Sequence, residues 1–206
     1  METLKSYAQS DVKKIVKPKF LAKKRIFDLI LAVFLTIFFS IPLLVIALWI
    51  KLSSKNPVIF WTDRRGVDNT IFKMAKFRTM KNGTPQVPKH LMTDPGAYFI
   101  LGGAFLRKYS LDELPQIFNV LLGDMSLVGP RPLPIDQVEK EDFKQLKRLE
   151  VKPGITGLWQ IRGRSDISFA RLVKWDIWYI NNWSFWLDIN ILLQTIPAVF
   201  KGRGAY

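Results

Sequence analysis

Two adjacent carboxylates, Asp112 and Glu113, are the residues of this sequence best suited to nucleophilic, acid–base or metal-binding chemistry. They belong to Ser110-Leu111-Asp112-Glu113, a capping-box pattern that predicts a helix over 110–122. The free amides and positive dipole at a helix start favour anions. Because neighbours on a helix project about 100° apart, one carboxylate is free to attack while the other holds a metal ion or a proton. An acidic first turn that only stabilises the helix is the alternative interpretation.

Arginines beside glycine and proline turns form a second group with chemical potential. They are Arg64, Arg65, Arg131, Arg162 and Arg164. A rigid turn fixes the direction of a guanidinium, whose forked donors match phosphate oxygens. Any one of them is equally explained as a solvated surface residue, and no P-loop or dinucleotide fingerprint accompanies them. Taken together they favour binding of a phosphorylated anion.

Composition restricts the classes of chemistry. The 206 residues contain no Cys and one His, His90, which excludes disulfides, thiolate catalysis, Cys-bound zinc and multi-His metal sites. The formal net charge of +14 predicts an anionic partner, whether nucleic acid, lipid headgroups or a phosphorylated substrate. With 49% hydrophobic and 13% aromatic residues, the chain resembles a membrane protein more than a basic nucleic-acid-binding arm.

One long apolar segment supports the membrane interpretation. Residues 29–50 carry no charge, and as a helix they would extend about 33 Å, about the thickness of a bilayer core. Basic residues exceed acidic ones on both sides, and positive flanks prefer the cytoplasm. A re-entrant hairpin keeps both flanks inside, with Pro42 breaking the helix and Ser40 bonding a freed carbonyl. A straight helix that spans the membrane is the alternative, and these residues alone do not decide between the two topologies.

The remaining elements are short. Strands are predicted over 58–62 and 71–75 around a turn at 66–69, and helices over 104–108 and 139–150, with one or two more over 168–200. Residues 81–96 are predicted as loop, and 129–132 and 152–157 as rigid turns. Trp175, Trp178, Trp183 and Trp186 form a cluster that belongs either to a membrane interface or to an ordinary aromatic core. The fold class is therefore mostly α with a small β element.

Several motifs, in this order and spacing, resemble the bacterial sugar transferase family, the monotopic phosphoglycosyl transferases that act on polyprenyl phosphate. The similar stretches are Lys24-Arg25 with Asp28, Lys76–Met80, Arg107 with Ser110–Gln116, Gly123–Ser126, Gly129–Pro132, Lys152–Gly157, Gly163-Arg164 and Leu187-Asp188. They cover nearly the whole chain, which resembles the small form of the family that consists of the catalytic unit alone. In one departure, Ile41 separates Ser40 from Pro42, whereas the family usually has adjacent Ser-Pro at the membrane break.

The resemblance implies transfer of a sugar 1-phosphate from a nucleotide sugar, expected to be UDP-linked, to undecaprenyl phosphate. UMP is released, and undecaprenyl-diphosphate-sugar starts a capsule, exopolysaccharide, O-antigen or glycoprotein pathway. Asp112 is implied as the nucleophile of a phosphosugar–aspartyl intermediate, with Glu113 beside it and Mg²⁺ held by Asp112 and Glu113. The phosphate- and substrate-binding positions implied by the match are Lys76, Arg78, Arg107, Arg131, Arg164 and Asp188.

The same resemblance implies a topology. Residues 1–23 form a basic N-terminal segment, 24–51 a re-entrant helix–break–helix with its break at Ser40 and Pro42, and 52–206 a cytoplasmic catalytic domain with amphipathic interfacial helices. We therefore expect the bacterial inner membrane as the location, with catalysis on its cytoplasmic face. The expected partners are the membrane, a nucleotide sugar and undecaprenyl phosphate, without nucleic acid, and a homo-oligomer is compatible with the sequence.

Two other functions remain as hypotheses. A membrane-tethered adaptor that binds anionic lipid or nucleic acid explains the charge without chemistry. A lipid-phosphate hydrolase would use water to resolve the aspartyl intermediate and would release free sugar phosphate.

Overall fold

Two consecutive helices with a sharp bend form the N-terminal part of the protein. The computed structural model describes residues 18–54, 56–85, 94–135, 147–163 and 168–201. Helix α1 (Pro18–Phe38) and helix α2 (Ser40–Ser53) are separated by Phe39. Within the described residues no single helix is long and apolar enough to cross a membrane, whereas Ala22–Phe38 and Ser40–Ser53, bent by 60°, meet the length and composition requirement together.

Two residues close to the bend explain why the helix breaks there. Pro42 lies in the first turn of α2 and has no amide to donate to the carbonyl of Phe38. The Ser40 hydroxyl donates to the Ile37 carbonyl at 2.7 Å, so a polar group satisfies the backbone where the helix turns. The break therefore lies at Phe39, beside the predicted Ser40 and Pro42, and the re-entrant topology stays a prediction.

A three-stranded antiparallel sheet follows, and its first strand lies in the middle. Strand β1 (Ile59–Arg65) pairs with β2 (Ile71–Phe77) along their whole lengths, and the short β4 (Leu133–Pro134) joins the Arg64–Arg65 end of β1. The turn between β1 and β2 places Asp68 and Asn69 at positive φ. Both predicted strands are confirmed, and each is longer than predicted.

A second, parallel pair joins β3 (Ser126–Val128) to β5 (Gly154–Thr156). The two predicted rigid turns meet here, because Gly129 donates its amide to Thr156 and Gly154 donates to Pro130. A Cβ on Gly129 would lie 2.5 Å from the Lys152 carbonyl oxygen, so only glycine permits this approach.

The predicted helix over 110–122 is wrong in its first half. The structure has α3 (Gly103–Lys108), a 3₁₀ turn (Leu111–Glu113) and α4 (Gln116–Leu122), which ends at Gly123 with φ 102°. Ser110 has φ 54°, and its backbone carbonyl, not its hydroxyl, accepts from the Glu113 amide, so no capping box forms. Because Pro115 has no amide, the regular helix begins only after it.

The C-terminal half is helical. A 3₁₀ turn (Lys147–Glu150) and α5 (Leu158–Ile161) precede α6 (Phe169–Asn181) and α7 (Phe185–Lys201), so the region 168–200 contains two helices. Most of the predicted helix over 139–150 lies outside the described residues, as do 86–93 of the predicted loop.

Two apolar clusters hold these elements together, and the larger one joins α1, the sheet and the C-terminal helices. Its most buried members are Ala32, Val120, Met125, Val128, Ile180 and Ile191. The smaller cluster packs Ile50 at the end of α2 against Phe77, Ile100 and Leu106. The fold is thus mostly helical with a small sheet, as predicted.

The tryptophan cluster divides between the two interpretations. Trp175 and Trp183 pack against the larger core, whereas Trp178 and Trp186 are 45% and 76% exposed.

Polar contacts also attach α1 to the rest of the fold. The Arg25 guanidinium donates to the last carbonyls of α4, those of Val120 and Leu121. Asp28 accepts from the Ser126 hydroxyl at 2.7 Å and from the Leu127 amide at 3.3 Å. The apolar helix pair is therefore fixed to the element that follows Asp112 and Glu113.

Candidate active site

The two adjacent carboxylates occupy the 3₁₀ turn between α3 and α4 and have different surroundings. Glu113 forms an ion pair with Lys76 on β2, with Oε1 and Nζ 2.6 Å apart. Asp112 is buried, with 7% of its surface exposed. The expected division of roles thus has a structural basis, although it comes from a 3₁₀ turn and not from a capped α-helix.

The surroundings of Asp112 disfavour the ionised form of its carboxyl group. Burial and, to a smaller extent, the neighbouring Glu113 carboxylate raise its pKa to about 6, although the charges of Lys76 and Arg107 oppose the rise. At pH 7 the group is ionised but poorly solvated, which is the state expected of a nucleophile that needs no general base.

Arg107 lies in the last turn of α3, where its charge acts on Asp112. Its Nε donates to the Thr79 hydroxyl at 3.0 Å, and its guanidinium lies over the Phe99 ring, 5.6 Å from the ring centre. These contacts give the cation a fixed position beside the carboxylate pair.

An open pocket adjoins the carboxylates. Its polar lining residues are Arg64, Lys76, Glu113, Gln116, Arg131 and Gln160, and its apolar ones include Met74, Ile155 and Trp159. Asp112 is not a lining residue but precedes Glu113 directly. Three cations and a carboxylate around one pocket favour a ligand with several phosphate oxygens.

Two flanking prolines and a stacked indole ring position Arg131. It stands between Pro130 and Pro132, and its guanidinium lies over the indole of Trp159, 4.6 Å from the ring centre. Trp159 is the second residue of α5, which begins directly after Gly157. Trp159 and Gln160 were not selected from the sequence, where their only signal was closeness to Lys152–Gly157. Gln116 ends the Ser110–Gln116 motif but was given no role of its own.

Of the expected binding residues that the structure describes, Arg78, Arg107 and Asp188 do not line this pocket. Arg78 points elsewhere, donating to the Pro57 carbonyl at 2.8 Å and to the Asn82 side chain at 2.9 Å. Asp188 is buried among Lys24, Tyr179 and Trp183, all of which donate to its carboxylate. Arg164 lies outside the described residues.

The carboxylates of this site could bind a divalent cation only together with further ligands. Within the ranges that the structure describes, no group of three or more His, Asp or Glu residues is placed to enclose a metal ion. Mg²⁺ in phosphoryl-transfer sites commonly uses one or two carboxylates together with substrate phosphates and water. Asp112 and Glu113 fit such a shared site, in which the substrate completes the coordination.

Comparison with known proteins identifies the family. Residues 19–202 match the family model described as bacterial sugar transferase. The galactosyl transferase CpsE of Streptococcus agalactiae is 48% identical over 73% of this chain, which covers 36% of CpsE. The exopolysaccharide production protein ExoY of Rhizobium meliloti is 40% identical over 89% of this chain and 88% of its own length.

A third relative has a more explicit name. The UDP-glucose:undecaprenyl-phosphate glucose-1-phosphate transferase of Escherichia coli is 42% identical over 89% of this chain, which spans 41% of that enzyme. This chain belongs to the bacterial sugar transferase family and is an enzyme of that kind, so the resemblance predicted from its motifs is confirmed.

Proposed function

We propose that this enzyme transfers a sugar 1-phosphate from a UDP-sugar to undecaprenyl phosphate, releasing UMP and forming undecaprenyl-diphosphate-sugar for a bacterial glycoconjugate. The observation that carries this proposal is the buried Asp112 beside a pocket lined by Arg64, Lys76 and Arg131. The name of the Escherichia coli relative supports the donor and acceptor classes, and that of ExoY supports a role in exopolysaccharide production.

In the proposed reaction a carboxylate oxygen of Asp112 attacks the phosphorus that bears the sugar. The bond from this phosphorus to the bridging oxygen breaks, and UMP leaves with the electron pair. The sugar phosphate is then joined to Asp112 as an acyl phosphate. A phosphate oxygen of undecaprenyl phosphate attacks the same phosphorus, breaks its bond to Asp112 and restores the carboxylate.

The surrounding residues lower the cost of bringing a diphosphate to a carboxylate. Lys76 and Arg131 face the pocket and would bind the donor's phosphate oxygens, while Arg107 partly balances the charge of Asp112. Glu113 is held by Lys76 at 2.6 Å, which keeps its own negative charge from acting fully on Asp112. Mg²⁺, held by Asp112 and Glu113, would supply further charge neutralisation for the diphosphate and the leaving phosphate.

The bent helix pair supports a membrane location for this reaction. Apolar side chains exposed on α1 and α2 include Ile30, Phe34, Ile37, Ile41, Leu44 and Leu48. A re-entrant pair would insert this surface into one leaflet of the inner membrane and keep both basic flanks on the cytoplasmic side. The lipid phosphate would then meet the UDP-sugar at the headgroup plane.

A radiolabel assay tests the proposal. Detergent-extracted protein is mixed with Mg²⁺, undecaprenyl phosphate and each of a panel of UDP-sugars, including UDP-glucose and UDP-galactose. We expect equal amounts of released UMP and butanol-soluble lipid-linked label with one donor. Release of UMP without lipid-linked label would indicate a hydrolase, and the absence of both with every UDP-sugar would contradict the proposal.

A matched pair of variants separates chemistry from surface charge. Asp112→Asn removes the proposed nucleophile, and Asp63→Asn removes a carboxylate from the exposed side of β1. Turnover should be lost in the first variant and retained in the second.

A further inference from the structure

The most deeply buried ion pair that the structure describes lies outside the proposed reaction. Arg148, in the 3₁₀ turn 147–150, and Asp176, in the middle of α6, are 2% and 1% exposed. Nε and Nη2 of Arg148 each lie 2.9 Å from Oδ2 of Asp176. Neither residue lines the pocket, and replacement of such a pair by apolar residues is often neutral or stabilising. Stability alone therefore explains the pair poorly.

Both members of the pair bind the backbone of Arg131. Nη2 of Arg148 donates to the Arg131 carbonyl at 3.4 Å, and the Arg131 amide donates to the Asp176 carboxylate. The Gly129–Pro132 turn is thus held both by this pair and by β5, whose Gly154 amide donates to the Pro130 carbonyl.

The side chain of Arg131 itself lines the pocket. It lies over the Trp159 indole, and Trp159 is itself 6% exposed. Within the described residues the indole Nε1 has no hydrogen-bond acceptor, although Trp159 lines the pocket. A donor phosphate or ribose oxygen would supply one.

We infer that Arg148 and Asp176 are positioning residues that direct the Arg131 guanidinium over Trp159 towards the phosphates of the nucleotide sugar. The inference rests on the proposed function. It adds to that function an explanation of how one phosphate-binding residue, Arg131, is held in place. A small displacement of a group that binds the reacting phosphates lowers the rate strongly. The pair would therefore affect the rate through Arg131, without touching the substrate.

The test replaces the pair with apolar residues of similar volume, Arg148→Met with Asp176→Leu. The variant should keep its melting temperature within a few degrees, because no unpaired charge is left buried. We expect kcat/KM for the UDP-sugar to fall about ten- to hundredfold and the Kd of UDP, measured calorimetrically, to rise about tenfold.

A matched control uses a second contact between the same two elements. Lys147 donates to the Asn181 side chain at 2.8 Å and so joins the 147–150 turn to α6 without contacting Arg131. The double variant Lys147→Met with Asn181→Leu should keep the wild-type kcat/KM and UDP affinity.

The Arg131→Ala background shows whether the pair acts through Arg131. If it does, adding Arg148→Met and Asp176→Leu to Arg131→Ala should change kcat/KM and UDP affinity no further. Two results would overturn the inference while leaving the proposed function intact. One is an additive loss in the triple variant, and the other is wild-type kinetics in Arg148→Met with Asp176→Leu. A wild-type protein that neither binds UDP nor turns over UDP-sugars would overturn both.

Discussion

Burial of the Asp112 carboxylate lowers the stability of the folded protein. Its carboxyl group is buried next to a second carboxylate, and its pKa is raised to about 6 from the 3.8 of a free aspartate. A raised pKa means that folding disfavours the ionised form. The contribution of Asp112 to stability is therefore full below about pH 4 and is lost as the pH rises through about 6.

This sign gives a stability prediction for Asp112→Asn. In metal-free buffer at pH 7.5 the variant should be more stable than the wild type by at most about 3 kcal/mol, because the amide carries no charge to desolvate. The advantage should shrink as the pH falls from 6 to 4. Thermal unfolding in detergent across this range measures it, and a lower melting temperature of the variant at pH 7.5 would contradict the burial argument.

Lys76 and Arg78 provide a second comparison at this scale. Both are basic and only two positions apart, but Lys76 faces the pocket and holds Glu113, whereas Arg78 contacts Pro57 and Asn82. We expect Lys76→Met to lower kcat/KM about a hundredfold or more and Arg78→Met to lower it less than threefold. A steady-state assay with the active UDP-sugar compares the two, and equal losses would show that Arg78 also binds substrate.

At the scale of elements, the sequence predicted what local physics determines. The strands β1 and β2 follow from their flanking turn, and the helix break follows from Pro42. The capping box at Ser110 failed because the left-handed Ser110 backbone and Pro115 override a pattern of side chains. Nothing local predicts that Trp159 lies against Arg131, because that contact joins residues 28 positions apart in the chain.

The site shows the same division between local and long-range information. Asp112, Lys76 and Arg131 were selected from motifs and are close to one pocket, with Lys76 and Arg131 lining it. Asp188, also within a motif, accepts hydrogen bonds from Lys24 and Tyr179 and so joins α1 to α6 and α7. A motif marks a residue as constrained, and only the tertiary contacts distinguish binding from structural support.

The bend between α1 and α2 supports a topology prediction. Pro42→Ala restores the amide that can donate to the Phe38 carbonyl, so the two helices should straighten towards a full span. An N-terminal tag next to Met1 should then become accessible to protease or a cysteine label from outside sealed cells. Leu44→Ala, which changes an exposed apolar residue of α2 without altering its backbone donors, should keep the tag protected. A tag that stays protected in Pro42→Ala would count against the prediction.

At the scale of the whole molecule, charge and apolar surface act together. The net charge of +14 would attract anionic headgroups and a phosphorylated donor alike, and the exposed apolar residues of α1 and α2 would face the bilayer in the proposed topology. Arg25 and Asp28 tie these helices to α4 and β3. The carboxylate turn is thus fixed relative to the apolar helices, which would present it at a constant depth to a lipid phosphate.

The central claim is that Asp112 carries the sugar phosphate between donor and acceptor. The most direct measurement is mass spectrometry of the protein after a single turnover with its active UDP-sugar and Mg²⁺, in the absence of undecaprenyl phosphate. We predict one sugar phosphate per chain, attached to the peptide that contains Asp112, released as lipid-linked sugar when undecaprenyl phosphate is added, and absent from Asp112→Asn. Release of UMP with formation of lipid-linked sugar but no adduct on Asp112 in this experiment would contradict the account.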